Sequence, residues 1–164
     1  MAVDHGRRTP SYGRDVPSDL TLKAMNAVHR AAQWFSMGKL GWTAMKMPVV
    51  ELTTIGRKSG RPRTVLLTSP LQMGATHVVV ASRGGDDKPP AWLGNLVAHP
   101  DVEVSFAGRS RVHARARVAT PAERAQWWPR VIADHPFYGD YQKATTREIA
   151  LVVIDPNAIT TKDA

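Results

Sequence analysis

The stretch Val49-Val50-Glu51-Leu52-Thr53-Thr54-Ile55, then Gly56-Arg57-Lys58-Ser59-Gly60-Arg61-Pro62-Arg63, then Thr64-Val65-Leu66-Leu67-Thr68-Ser69-Pro70-Leu71, reads as two strands joined by a basic turn. Val, Leu, Ile and Thr favour a pleated, half-buried surface, and the Gly-Pro punctuation between them marks the reversal. A third segment of the same texture, His77–Ser82, extends the pair into a meander. Pro89–Ala98 then reads as a short helix, with Pro near its start, Trp92 and Leu96 at i and i+4, and His99-Pro100 as its stop. Two more strands follow, Val102–Phe106 and Val112–Val118, joined at Ala107-Gly108-Arg109. Thr120-Pro121-Ala122-Glu123 is a capping box with Pro at the first helical position, which starts a helix running to about Ala133. A loop, Asp134–Thr146, leads to a last strand, Ile149–Ile154, closed by Asp155-Pro156. Mainly antiparallel strands with inserted helices in a chain of this size give an α+β fold around a small barrel.

Upstream of the strands, Leu20, Met25, Val28, Ala32 and Phe35 recur near a 3.6 period while Lys23, Asn26, Arg30 and Gln33 fall opposite. That pattern predicts an amphipathic helix over 20–35, which either covers the sheet or lies on a membrane surface. The division expected is a flexible N-terminus at 1–19, a helix and linker at 20–47, one folded domain at 48–156 and a tail at 157–164.

The chain has 164 residues, 43% of them apolar and 22% charged, which is a globular composition. Its longest apolar run, Ile149–Ile154, is far too short to span a membrane. With no cysteine there is no disulfide framework, thiol nucleophile or cysteine zinc site. The first fifteen residues lack the apolar region of a secretory signal, so the expected location is cytoplasmic, with peripheral contact at the inner membrane face through 20–35 left open. Lys plus Arg number 22 against 14 for Asp plus Glu, a net charge of +8 that points to an anionic partner. The dinucleotide, P-loop and serine-hydrolase fingerprints are missing, and His5, His29, His77, His99, His113 and His135 show no metal-ligand spacing, so no metal site is expected.

Four places could carry chemistry. Arg57, Lys58, Arg61 and Arg63 crowd one glycine-flanked turn, where Arg offers a planar fork and Lys a point charge to phosphate or carboxylate oxygens. The same turn also reads as a solvated basic hairpin. Ala81-Ser82-Arg83-Gly84-Gly85 is a strand end whose small residues let a flat ligand lie against the backbone. Beyond it, Trp92 and Asn95 share a helix face, although a Trp there is commonly core. His135-Pro136-Phe137-Tyr138-Gly139-Asp140-Tyr141 is an aromatic cluster that either pins a loop or borders an aromatic substrate, where Tyr can donate a proton. Finally, Arg109, Arg111, His113, Arg115 and Arg117 alternate along one strand face. This face reads as solvated, with charges that blunt edge pairing, and is where contact with nucleic acid would begin.

In order, the series Leu52–Arg63, Ala81–Gly85, Pro90-Ala91-Trp92-Leu93-Gly94-Asn95-Leu96 with His99-Pro100, Thr120–Arg124, Trp128-Pro129, Tyr138–Gln142, Thr146-Arg147 and Val152–Pro156 resembles the deazaflavin-dependent nitroreductase family. The resemblance covers about residues 48–156. It implies a split β-barrel of the FMN-binding-like kind that binds coenzyme F420, and hydride transfer from reduced F420 to a quinone, an activated enone or a nitroaromatic. By this resemblance Lys58 and Arg63 hold the cofactor's phosphate and Arg57 and Arg61 lie near its oligoglutamate tail. Ala81, Ser82 and Arg83 line its ring, and Trp92 and Asn95 its side chain. Ser82, Tyr138 and Tyr141 face the substrate, and His135 assists. The chain departs from the family pattern in having Arg83 in place of Lys and His135 in place of a third Tyr. The alternatives are an FMN-dependent oxidoreductase using the same turn, and a non-catalytic protein that binds anionic ligands or membrane surfaces. The expected partner is a small-molecule acceptor rather than nucleic acid, with the protein a monomer or dimer.

Overall fold

A computed structural model of the chain describes residues 43, 44 and 46–158. The segment expected to be flexible at 1–19, the helix expected at 20–35 and residues 159–164 of the tail lie outside them. The elements run β1 (Thr43–Ala44), β2 (Met47–Ile55), β3 (Pro62–Thr68), β4 (Leu71–Met73), β5 (Thr76–Val80), a single 3-10 turn at Arg83–Gly85, α1 (Ala91–Ala98), β6 (Asp101–Phe106), β7 (Val112–Val118), α2 (Pro121–Asp134), α3 (Phe137–Lys143) and β8 (Leu151–Asp155). The strands form one sheet in the order β1-β2-β6-β7-β8-β5-β4, with β3 on β2 and every pair antiparallel. This is the expected α+β architecture of antiparallel strands with inserted helices. Among the described residues the ladder does not close into a continuous barrel.

The opening hairpin forms as read: Thr54 faces Arg63 and Ile55 faces Pro62, with the Thr53 and Thr64 hydroxyls 2.9 Å apart across the pair. The meander does not. β3 ends at Thr68, where Ser69-Pro70 turns the chain, so the expected single strand Thr64–Leu71 is split. The Ser69 amide donates to the Pro48 carbonyl, and its buried hydroxyl lies 3.1 Å from the carbonyl oxygens of both Leu71 and Val78. Pro70 cannot continue a ladder because it lacks an N–H. β4 and β5 then make their own hairpin about Gly74, which has φ +62°, and β5 pairs with β8 instead of β3.

The sheet is buried on both faces. Val50, Leu52, Val79, Val102, Val104, Ala114, Ala116, Val152 and Ile154 pack with Trp92 and Leu96 of α1 on one side. Val78, Val80, Leu151 and Val153 pack with Trp127, Val131 and Tyr138 of the other helices on the opposite side. This explains why Val78-Val79-Val80 and Leu151–Ile154 lack polar alternation: consecutive side chains enter two different cores.

The capping box of α2 is present, with Thr120 Oγ1 accepting from the Glu123 amide at 3.2 Å and Glu123 Oε2 accepting from the Thr120 amide at 2.8 Å. The Arg117 guanidinium grips both Glu123 oxygens at 2.7 Å, and that fork, with the Thr120 amide, holds the carboxyl at about 2. Two expectations are corrected. The aromatic segment is helix α3, not a loop: Pro136 begins a new turn after α2, and Phe137, Tyr138 and Tyr141 at helical spacing pack on the core. β7 lies between β6 and β8, so its charges do not guard a sheet edge.

Candidate cofactor site

The basic turn is pinned from inside. Gly56 donates to the Arg61 carbonyl at 2.9 Å, Gly60 donates to the Gly56 carbonyl at 2.8 Å, and Gly60 itself has φ +64°. A Cβ on Gly56 would sit 2.6 Å from Ser59 Oγ and 3.2 Å from the Arg61 carbonyl oxygen, so a larger residue there would require Ser59 to move and the turn to give slightly. Asn95 anchors it to α1. Its Oδ1 accepts from the Arg57 amide at 3.2 Å, and its Nδ2 donates to Thr54 Oγ1 at 3.2 Å. Asn95 and Trp92 are both buried on the same face of α1, as their spacing predicts. Trp92 is a core residue against β2 and β6, and Asn95 spends its amide on the turn. Gly94 lets the Arg57 side chain cross the helix, because a Cβ there would lie 1.8 Å from Arg57 Nη1.

The two basic clusters differ in one decisive respect. In the second cluster, Arg111 just before β7 pairs with Glu51, and Arg115 and Arg117 on β7 pair with Asp101 and Glu123, while the Arg109 side chain has no partner among the described residues. On the turn, the side chains of Arg57, Lys58, Arg61 and Arg63 are exposed and have no hydrogen-bond or ion-pair partner among the described residues. Concentrated positive charge without ion-pair partners suits an anionic ligand, whereas Arg111, Arg115 and Arg117 each already face a carboxylate.

The second wall is the end of β5. Ala81 is fully buried and Ser82 nearly so, and the Ser82 hydroxyl has no partner among the described residues. Arg83, Gly84 and Gly85 follow with φ of +50°, +67° and +84°. Gly85 is required by packing as well as by φ, since a Cβ would meet the Tyr141 carbonyl oxygen at 2.9 Å. Arg83 pairs with Asp86 at 2.9 Å, and Asp86 also accepts from the Lys88 amide, which together with Arg83 holds its carboxyl low.

The aromatic group closes this side from α3. Tyr141 is half-buried, packed edge-on to Phe137 and Tyr138 at 5.7 and 6.1 Å, and its hydroxyl has no hydrogen-bond partner among the described residues. His135 caps α2 and its ring lies 6.4 Å from that of Tyr138. Tyr138 is different: it is 4% exposed, its hydroxyl bonds Thr68 Oγ1 at 3.0 Å, and burial pushes its phenol pKa up. Sequence reading missed Arg147, whose guanidinium donates to the carbonyls of Ala81, Ser82 and Asp86 at 3.1, 2.7 and 2.8 Å. Only its place in the motif series Thr146-Arg147 hinted at it, because a single arginine in a loop has no periodicity. No cluster of His, Asp or Glu among the described residues could hold a metal ion, and no described helix is long and apolar enough to cross a membrane.

An α+β domain with an uncompensated basic turn and a glycine-rich, small-residue strand end fits a flat cofactor with an anionic tail, which is the chemistry of a deazaflavin-dependent reductase. The model of the F420H(2)-dependent quinone reductase family matches residues 25–156, and the chain belongs to that family. It is therefore an F420H2-dependent oxidoreductase, and its cofactor is coenzyme F420 rather than the alternative FMN. An F420H(2)-dependent quinone reductase of Mycobacterium tuberculosis (strain ATCC 25618 / H37Rv) is 37% identical over 110 residues, 65% of this chain and 72% of that one. The solved structure of an F420-H2 dependent reductase, FDR-A, is 34% identical with TM-score 0.57, covering 66% of this chain and 94% of its own. Another, described as a domain-swapped dimer, is 30% identical with TM-score 0.61, covering 81% and 99%.

Proposed function

We propose that this chain reduces a quinone-type acceptor with F420H2, using the basic turn to hold the cofactor's anionic arm and the β5 end to hold its ring. The observation that carries the reading is the pairing difference: four exposed cations on the Gly56–Arg63 turn have no partner among the described residues, while Arg111, Arg115 and Arg117 do. Lys58 and Arg63 bind the phosphate, and Arg57 and Arg61 attract the oligoglutamate tail. Ala81, Ser82 and Arg83 form the ring wall, and Trp92 and Asn95 border the cofactor's side chain, Asn95 through the Arg57 amide it anchors. When bound, reduced F420 supplies the hydride, from C5 of its deazaflavin ring.

The protein's own part is positioning and polarisation. The Ser82 and Tyr141 hydroxyls, neither of them committed to a neighbour among the described residues, orient the acceptor's carbonyl oxygen and donate a hydrogen bond as negative charge develops there. His135 stands on the same side, its ring 6.4 Å from that of Tyr138, and assists there. Tyr138 acts one step back, fixing α3 to the end of β3 through Thr68. The architecture is a split barrel of the FMN-binding-like kind, in which the β2–β3 hairpin and the β4–β5 hairpin are the two parted edges.

Titration of the full chain with F420, followed by fluorescence with FMN and FAD in parallel, tests this reading. Micromolar or tighter binding of F420 alone supports it, and F420H2 oxidation should then be faster with quinones than with nitroaromatics. Binding of FMN instead, or of none of the three, overturns it.

A further inference from the structure

Arg147 forms no ion pair with a carboxylate among the described residues. Its fork spans three main-chain carbonyls of one short loop: Nη2 reaches the oxygens of Ala81 and Ser82, and Nε reaches that of Asp86. Its Nη1 is buried with no hydrogen-bond partner. Burial lowers the guanidinium pKa, with Asp86 and Asp87 acting against that loss.

The loop it grips is the one with three successive residues at positive φ, one of them the non-glycine Arg83. Gly84 and Gly85 adopt that region readily, but Arg83 does not, so contacts around it must offset the cost of its conformation. The trans peptide adds a directional consequence. Because C=O and the following N–H point to opposite sides, drawing the Ala81 carbonyl onto Arg147 turns the Ser82 amide away from it. The Ser82 amide makes no hydrogen bond among the described residues. Arg147 itself is held by its chain neighbours: Gln142 Nε2 donates to the Arg147 carbonyl at 2.8 Å, the Arg147 amide donates to Thr145 Oγ1, and the Thr145 hydroxyl donates to Asp87 at 2.7 Å.

We infer that Arg147 is the positioning residue of the ring wall: its guanidinium sets the Ala81–Asp86 loop so that the Ser82 amide and hydroxyl face the bound cofactor and acceptor. This rests on the F420 reading above. Arg147 touches neither cofactor nor acceptor and acts through the loop. Lysine cannot replace it, because one ammonium cannot reach three carbonyls in a fixed plane.

The test uses the full chain carrying Arg147→Ala or Arg147→Lys, with F420 affinity, the absorption band of bound F420 and melting temperature measured together. Both variants should bind F420 at least about tenfold more weakly, the equivalent of one lost charge-assisted contact, with a shifted band. Guanidinium at tens of millimolar should restore the affinity of Arg147→Ala, and sodium chloride at equal ionic strength should not. Wild-type affinity in either folded variant overturns the inference, as does a lowered melting temperature with unchanged affinity and band. Equal rescue by sodium chloride overturns it too. If Arg147→Ala does not fold, Arg147→Lys carries the same measurement. Failure of the wild-type chain to bind F420 is a separate result, which removes the cofactor reading itself.

Discussion

Replacing Lys58 and Arg63 together by Ala should separate binding from folding cleanly. Both side chains are exposed and neither has a partner among the described residues, so their removal leaves no neighbour unpaired. Surface changes of that kind alter stability by no more than about 0.5 kcal/mol. Toward a phosphate the balance is different, because each charge-assisted hydrogen bond contributes about 1.5–3 kcal/mol, or about 3–6 kcal/mol for the pair. Exposure screens the charges, which favours the lower end, a loss of about two orders of magnitude in F420 affinity. Isothermal titration at low and moderate salt is the assay, with Arg111→Ala plus Arg115→Ala as the control, since those arginines are already paired with Glu51 and Asp101. A double turn variant within about threefold of wild type would refute the assignment, as would an equal loss in the β7 control.

Three further outcomes follow from the geometry. Tyr138→Phe removes one hydrogen bond to Thr68 and should cost about 1 kcal/mol by denaturant unfolding, while Tyr141→Phe should lower turnover and leave the Tm nearly unchanged. Turnover lost at Tyr138 instead of Tyr141 would exchange their roles. Gly85→Ala must place a Cβ 2.9 Å from the Tyr141 carbonyl oxygen at φ +84°, so a loss of about 2 kcal/mol or more is expected, and a wild-type Tm would contradict the described packing. His77 is half-buried, stacked on Phe106 at 4.2 Å with Nδ1 on Ser69 Oγ at 3.1 Å, and burial lowers its pKa below the usual 6.5. The unfolded chain therefore binds the extra proton first, so this contribution is complete above pH 6.5 and is lost as pH falls below it. The slope of Tm between pH 5 and 6.5 should flatten in His77→Gln, and an unchanged slope would assign the titration elsewhere.

Local signals were legible wherever the cause is local. The Thr120–Glu123 box, the Pro121 start, the Trp92–Leu96 spacing and the glycine-flanked hairpin depend on residues a few positions apart, and each forms as read. So does the concentration of charge on Gly56–Arg63, because clustering along the chain brings clustering in space at a tight turn. The helix at Phe137–Lys143 was hidden by a proline before it and a glycine within it, and only packing against Thr68 and Gly85 draws it out.

What the sequence could not supply is partnership between distant residues. The arginines at 109–117 and those of the hairpin look alike in the chain, yet Arg111 meets a carboxylate 60 positions away and Arg63 meets none among the described residues. β5 could as well have continued a meander, until Ser69-Pro70 sent it to β8. Arg147 acquires its place only because β8 brings residues 81 and 147 together. Composition and order fixed which groups this protein owns, since helix caps, turns and charge density are short-range physics. The fold decided which of those groups are already neutralised and which remain available to a ligand, because charge compensation depends on distance in space.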